Sequence, residues 1–194
     1  MNSPLQHLQP IPEYHFFVLE TKRLWLRLIS PKDYEFIYGH LNDDELKELL
    51  GFSTQHELEM HKAKFEKGLT HYRFHMAYFQ LLQKPDFKVI GSAGFHTWNV
   101  EHHKAELGYD IRYDELKRQG YMTEAIEALL EYGFNTLKLQ RIEACIGPDN
   151  MASQGVVNHF KFTKEGVLRA HYLKDGIYHD SIIYSLLREE YAKN

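Results

Sequence analysis

The sequence predicts a mixed α/β (α+β) domain, a mostly antiparallel central sheet flanked by helices. Three observations predict it: alternating apolar runs through the middle of the chain, helical patterns with recognisable caps between them, and short connections throughout. In order the elements read as strand, helices, three strands, helix, strand, helix, two strands. A length of 194 residues fits one domain with a substantial core. No Gly- or Pro-rich linker divides the chain and no internal repeat is found, so residues 1–14 are expected to form an N-terminal arm and 15–194 a single domain.

Met1 to Pro12 carries Pro4, Pro10 and Pro12 and reads as an extended arm. Phe16 to Leu28 reads as strand, with Phe17, Leu19, Leu24, Leu26 and Leu28 apolar and a bulge or turn at Thr21-Lys22. Ser30-Pro31-Lys32-Asp33 is a helix start: Ser30 as N-cap, Pro31 in the first turn, Asp33 at the third position. That helix runs through Tyr34, Phe36 and Ile37 towards His40. Asn42 caps a second helix, Asp43 to Leu50, which Gly51 ends. Ser53 or Thr54 opens a third, carrying Leu58, Met60, Phe65 and Leu69.

Arg73 to Leu82 and Phe87 to Thr97 read as strands joined by a turn at Gln83-Lys84-Pro85-Asp86. Asn99 to His103 turns the chain into Lys104 to Tyr113, where Ala105, Leu107, Tyr109 and Ile111 share one face. Three strands so connected make an antiparallel meander. Met122 to Lys138 has helical spacing, with Ala125, Ile126, Leu129, Leu130, Phe134 and Leu137 in its apolar stripe. Arg141 to Ile146 is a further strand, broken by Gly147-Pro148-Asp149. Asn150 to Phe160 is a short helix, and Thr163 to Leu168 and Tyr178 to Leu187 complete the sheet.

Composition excludes several function classes. No apolar run approaches the roughly 18 residues of a membrane span, and the N-terminus lacks a charged-then-apolar signal pattern, so a cytoplasmic protein is expected. A net charge of −4 weighs against extended nucleic-acid binding and mildly favours a cationic substrate. The 13 histidines raise the question of a metal. His56 and His61 are five apart, on different helix faces, and His102-His103 and His179-Asp180 do not form a ligand set, so no metal is expected. Gly91-Ser92-Ala93-Gly94 is not a serine-hydrolase elbow, and the lone Cys145 reads as core packing.

One turn stands out. Lys117-Arg118-Gln119-Gly120 is basic, bears a glycine, and lies where the alternating pattern gives way to the helical one. A turn that opens a helix offers unpartnered backbone N–H groups at the positive end of the helix dipole, which suits a diphosphate. An ordinary basic connection would read the same way locally. Neither G-x-x-x-x-G-K-[ST] nor G-x-G-x-x-G occurs, so any phosphate is gripped by another kind of loop.

The blocks Ala105-Glu-Leu-Gly-Tyr109, Gln119-Gly-Tyr-Met-Thr-Glu-Ala125, Asn150-Met-Ala-Ser153, Asn158-His-Phe160 and Tyr178-His-Asp180 resemble, in order, those of the GNAT acetyltransferases. Within them the chain is similar to the Rim-type branch, the ribosomal-protein N-terminal acetyltransferases, over nearly its whole length. The resemblance implies a GNAT sheet splayed between the strand ending near Tyr113 and the strand starting near Arg141. It implies acetyl-coenzyme A as co-substrate, with its pyrophosphate in a loop of the form [RQ]-x-x-G-x-[GA], here Lys117, Gly120 and Met122. Two positions depart: Lys117 replaces the fork-shaped or amide side chain, and Met122 puts bulk where a small residue is expected to admit the phosphate. By the same resemblance, Arg118, Gln119, Tyr121 and Thr123 belong to the cofactor loop. Ile111 and Tyr113 offer backbone groups to the pantetheine arm, Asn150 touches the pantetheine region, and Ser153 protonates the departing thiolate.

The base is open between two residues. Glu106 alternates away from Leu107 and Tyr109 and reads either as a base, direct or through water, or as a paired sheet carboxylate. His171 stands where the branch can carry a carboxylate, and imidazole suits proton transfer near neutral pH. A strong base is not essential. An N-terminal amine is roughly a tenth neutral at pH 7, a handicap of about 1 kcal/mol, against roughly 4–5 kcal/mol for a lysine amine. The expected acceptor is a protein N-terminal amine, ribosomal by resemblance. A small amine, or a module that binds coenzyme A without turnover, is the alternative. The sequence leaves monomer and homodimer open.

Overall fold

The computed structural model describes residues 14–66 and 75–192 together with Gln9 and Ile11. The expected arm at 1–14 and the positions Leu69, Arg73 and Phe74 fall wholly or mostly outside the described residues. An eight-stranded sheet runs in the order β1-β2-β3-β4-β5-β6-β8-β7. Its strands are β1 (Val18–Glu20), β2 (Leu24–Ile29), β3 (His75–Gln83), β4 (Val89–Asn99), β5 (Lys104–Ile111), β6 (Arg141–Ile146), β7 (Thr163–Lys174) and β8 (Ile177–Leu187). The helices are α1 (Pro31–His40), α2 (Asp43–Leu50), α3 (Gln55–Glu66), α4 (Tyr121–Glu131), α5 (Met151–His159) and α6 (Arg188–Tyr191). Every pairing is antiparallel except β5 with β6, so the sheet is of the GNAT kind. Among the described residues no helix is long and apolar enough to cross a membrane.

The three leading helices start as their caps dictate. Asp33 and Ser30 exchange backbone bonds across the first turn of α1. The Asn42 amide oxygen accepts from Asp44 and Glu45 at 3.0 Å, while Glu45 returns a bond to the Asn42 N–H. Gly51 ends α2 at φ +70°, where a side chain would be strained. Thr54 and Glu57 cap α3 reciprocally.

Three elements differ from the sequence reading. Phe16 to Leu28 is two strands, because the Thr21 N–H donates to the Leu24 carbonyl (2.9 Å) and the Thr21 hydroxyl accepts from the Leu24 N–H (3.0 Å), reversing the chain into a hairpin. The helix expected to reach Lys138 widens into a π-type turn over Tyr132–Thr136. There Gly133 lies beneath Phe95, and a Cβ would sit 2.7 Å from that ring. The strand expected to stop at Leu168 continues to Lys174, because Asp175-Gly176 (φ +52° and +78°) is a two-residue hairpin turn into β8.

Strand alternation gives the sheet two unlike faces. Leu26, Phe79, Ala93, Phe95, Leu107 and Ile142 point to one, where with Ala125, Ile126, Leu129 and Leu130 of α4 they form the main core. Cross-strand partners on the other face are polar: Arg27 with Gln80, Gln80 with Ser92, His96 with Glu106, Glu106 with Glu143. Helices α1 to α3 cover only its β1–β4 end, over a second core of Ile29, Ile37, Leu46, Leu50 and Leu58. Arg27, 2% exposed, is held there by Gln80 (2.8 and 3.0 Å) and by the Leu49 carbonyl at the end of α2 (2.8 Å), to which Gln80 also donates. Burial lowers its guanidinium to about 10, still charged at neutral pH. Arg27→Met should cost about 2–3 kcal/mol in urea unfolding, by leaving the Leu49 carbonyl and the Gln80 amide short of a buried partner. A loss below about 0.5 kcal/mol would mean that this bond set does not hold α2 to the sheet.

Candidate active site

Strands β5 and β6 are in register only at Lys104 with Arg141, Ala105 with Ile142 and Glu106 with Glu143. Beyond Glu106 they diverge. The closed end is pinned by Arg141, which donates to Glu143 at 2.7 Å and by both nitrogens to Glu165, itself bonded by the Ser185 hydroxyl at 2.6 Å. Hydrogen bonds from Arg141 and Ser185 draw the Glu165 carboxyl down to about 2. The Arg112 N–H bonds the Ile90 carbonyl on β4 at 2.9 Å, so by alternation the main-chain N–H groups of Ile111 and Tyr113 face the opening instead. They form an unpaired strand edge inside the molecule.

At the wide end of the opening the chain makes a tight turn at Asp114–Leu116 and reaches Gly120, at φ +80°, before α4 begins. Gly120 caps without a side chain, and the first intrahelical bond is from Glu124 N–H to the Gly120 carbonyl. The N–H groups of Tyr121, Met122 and Thr123 therefore have no partner among the described residues. Lys117 is engaged by Asp114 at 2.6 Å, an exposed pair that holds the Asp114 carboxyl below and the Lys117 ammonium above their usual values. Arg118, at φ +60°, makes no ion pair among the described residues. Gln119 donates to the Glu115 carbonyl. The Met122 side chain packs against the main core.

This loop is fastened from a distance. Glu124 accepts from the Thr21 hydroxyl (2.7 Å), the Arg23 N–H (2.6 Å) and the Arg23 side chain (2.6 Å). The same guanidinium donates to the Gln119 carbonyl at 2.9 Å and lies 4.3 Å from the centre of the Tyr121 ring. Burial would raise the Glu124 carboxyl, but the bonds from Thr21 and Arg23 outweigh it and hold it below the usual carboxylate range.

Between the diverging strands lies a cavity of about 190 Å3, walled by His96, Glu106, Tyr109, Cys145, Asn150 and Ser153 among others. Asn150 caps α5 by accepting from the Ser153 N–H at 3.1 Å, and Tyr109 donates to the Ser153 carbonyl at 3.3 Å. Cys145 lines this cavity rather than the core. Burial and the Glu106 carboxylate push its thiol up to about 12, so it stays protonated and is no nucleophile. Glu106 and Ser153 thus share one cavity. His171 lies outside it, on β7, with Nδ1 2.9 Å from the Ser181 hydroxyl. His96 is the histidine of the cavity, its Nδ1 3.8 Å from Glu106. The sequence signal for it was there: folding the β4–β5 meander about Asn99–His103 sets His96 opposite Glu106.

On the helix-bearing side a second hollow, of about 280 Å3, is lined by Tyr34, Phe52, His61, Tyr78, Ser92 and Arg112 among others. This hollow, beneath the leading helices, is therefore largely aromatic. Burial, then the charges of Lys64 and Arg112, lowers His61 to about 4, so it is neutral at pH 7. Among the described residues no three His, Cys, Asp or Glu side chains gather as a metal site.

Residues 23–163 match the family described as "Acetyltransferase (GNAT) domain". A Bacillus subtilis protein named "Uncharacterized N-acetyltransferase YoaA" is 33% identical over 174 residues, covering 89% of this chain and 98% of that one. The Escherichia coli protein named "[Ribosomal protein uS5]-alanine N-acetyltransferase" is 30% identical over 116 residues, 59% of each chain. Among solved structures, the ribosomal-protein-S5-alanine acetyltransferase of Vibrio fischeri superposes with a TM-score of 0.65 over 90% of this chain and 98% of that one. At 21% identity the likeness speaks to fold alone.

Glu124→Gln should weaken coenzyme A binding roughly ten-fold by calorimetry, since charge-assisted bonds of this kind contribute about 1.5–3 kcal/mol. The carboxyl is depressed in the fold, so its contribution is full above about 4.3 and fades as pH falls through the lower folded value. Wild-type stability to urea should show that acidic loss and the variant should lack it. Equal affinities at pH 7 would remove the fastening from the binding site.

Proposed function

The chain belongs to the GNAT acetyltransferase family and is an N-acetyltransferase, and we propose that its acceptor is the N-terminal amine of a protein, a ribosomal protein being the first to test. One observation carries the reading of the site: a carboxylate, Glu106, and a hydroxyl on a helix start, Ser153, face one cavity where the sheet parts. The residues present suit acetyl-coenzyme A. The unpartnered N–H groups of Tyr121, Met122 and Thr123 would take its diphosphate, with Arg118 alongside and Gly120 giving close approach. Lys117 would join by leaving Asp114. The open edge at Ile111 and Tyr113 would pair with the amide-bearing arm, next to Asn150. With its side chain on the core, Met122 leaves the loop accessible.

Bound there, acetyl-coenzyme A supplies an acetyl group activated as a thioester. The chain's own residues do the rest. Glu106 carries negative charge on the cavity wall, which draws in an ammonium and favours its approach from the polar face of the sheet. Ser153, with a hydroxyl that both donates and accepts, stands ready to give a proton to the departing sulfur. Neither group is a strong base. That matches an acceptor of which roughly a tenth is already neutral at pH 7, and it matches a lysine side chain poorly. The name of the Escherichia coli relative, which specifies a protein alanine terminus, supports the same class.

A small amine is the second reading, favoured by the modest volume of the aromatic hollow, about 280 Å3. Thiol release from acetyl-coenzyme A separates the readings: peptides beginning with alanine or serine should be acetylated at the α-amine, and polyamines should not. Coenzyme A binding without acceptor-dependent thiol release from any of them would instead support a non-catalytic binding module. Ser153→Ala should lower kcat about 10- to 100-fold and leave coenzyme A affinity within a few-fold. An unchanged kcat would take Ser153 out of the chemistry.

A further inference from the structure

We propose that His96 Nε2 takes the proton from the acceptor amine, and that Glu106 is the residue that positions and charges it. The inference rests on the acetyl-transfer reading above and assigns a residue that the sequence pattern left aside.

The geometry is specific. His96 on β4 pairs with Glu106 on β5, the last residue of β5 in register with β6, so the imidazole stands where the opening begins. Its two nitrogens face different surroundings. Nδ1 is 3.0 Å from the Thr97 hydroxyl and 3.8 Å from a Glu106 carboxylate oxygen. Acceptors there favour a proton on Nδ1 and so leave the Nε2 lone pair free. The Nε2 edge lies over Gly108, beside the Tyr78 hydroxyl. A Cβ on Gly108 would come within 2.9 Å of Nε2 and 2.5 Å of the Tyr78 oxygen, so only a bare residue leaves room for both. The backbone after His96 is irregular, with Thr97 at φ +49° and a register shift before Asn99, which brings the Thr97 hydroxyl round to Nδ1.

The groups that face the imidazole are mostly acidic or neutral. They are Tyr78 from β3, Thr97 from its own strand, Glu106 and Asp110 from β5, and Cys145 and Glu143 from β6; the cations of the same face, Lys104 of β5 and Arg141 of β6, are both paired with Glu143 at 3.5 and 2.7 Å. Burial, then the charges of Glu106 and Asp110, keeps the Tyr78 hydroxyl protonated, so it can donate but not remove a proton. Cys145 is likewise protonated. An imidazolium formed at His96 would sit against the Glu106 carboxylate.

The step balances. The amine nitrogen bonds to the acetyl carbonyl carbon as the carbon–sulfur bond breaks. The acceptor enters as an ammonium; its first proton passes to His96 Nε2 and from there to solvent before the attack, the second leaves the nitrogen for solvent after it, and the sulfur receives one from Ser153, which solvent replaces.

The test uses the full chain with acetyl-coenzyme A, a short alanine-initial peptide, and hydroxylamine, an acceptor already neutral at pH 7. His96→Gln should lower kcat/KM for the peptide about 100-fold at pH 7 and abolish the acidic limb of its pH profile. Its rate with hydroxylamine and its coenzyme A affinity should stay within about three-fold. Glu106→Gln should lower the peptide rate while keeping that limb, because the carboxylate positions the imidazole and does not itself take the proton. The limb vanishing in Glu106→Gln and surviving in His96→Gln would make the carboxylate the base and overturn the proposal. Equal losses with peptide and hydroxylamine would overturn it too, as the mark of a structural role. The free protein gives an independent reading by NMR: the neutral His96 imidazole, assigned by its absence in His96→Gln, should carry its proton on Nδ1 and lose that preference in Glu106→Gln, and a proton on Nε2 in the wild type refutes the proposal. No coenzyme A binding and no thiol release by the wild type would count against the acetyl-transfer reading, while the NMR result would still decide the pair.

Discussion

The parting of β5 from β6 is the constraint on which the rest of the structure depends. Three residue pairs hold the strands together, and past Glu106 neither strand has the other to bond. A strand edge left unpaired inside a sheet is costly unless something takes up its N–H and C=O groups. Two helices begin beside this edge, α4 after the basic loop and α5 after Asn150, each with its N-terminus at the opening. One of them keeps its first amides free. The sheet therefore offers a row of backbone donors leading to a cluster of helix donors, a surface suited to an extended amide chain ending in an anion. Arg141, Glu143, Glu165 and Ser185 keep the other end shut, and so fix where the divergence starts.

The polarity of the two faces follows from the same alternation. On the α4 side the strands contribute Phe79, Phe95, Leu107 and Ile142, and hydrophobic burial there provides most of the stability. On the opposite face the polar side chains are not distributed evenly. Arg27 and Gln80 are buried and serve the end of α2, whereas His96, Glu106 and Cys145 stand past the edge of the covering helices and line the cavity. Residues of one strand face thus divide into support and chemistry according to how far the three leading helices extend.

Much of this was readable from local pattern. Ser30, Asn42 and Gly51 are caps whose chemistry is confined to a few neighbours, and each performs its expected role. The meander, the basic loop and the existence of a strand at Arg141 to Ile146 were equally local. What escaped depended on contacts between remote segments or on a turn that was overlooked. The Thr21 reversal needs a hydroxyl bonded to its own turn, and alternation alone cannot separate one strand from two. Asp175-Gly176 carried the hairpin signal, and passing over it cut β7 short. For the candidate site, Glu106 and Ser153 come together in the cavity and His171 lies outside it on β7, while His96, set opposite Glu106 by the register of the meander, was not singled out by local pattern.

Glu124 illustrates a further property of the molecule. Its bonds to Thr21 and Arg23 join residues 103 and 101 positions apart, and the guanidinium so held also braces the Gln119 carbonyl. The glycine loop is therefore not an autonomous module that could be transplanted with its flanking strand and helix. During folding it gains its final shape only once the first hairpin has docked, a late event because closing so long a stretch of chain is entropically slow. Intermediates lacking that contact would carry the complete loop motif without its final shape, which ties that shape to completion of the fold.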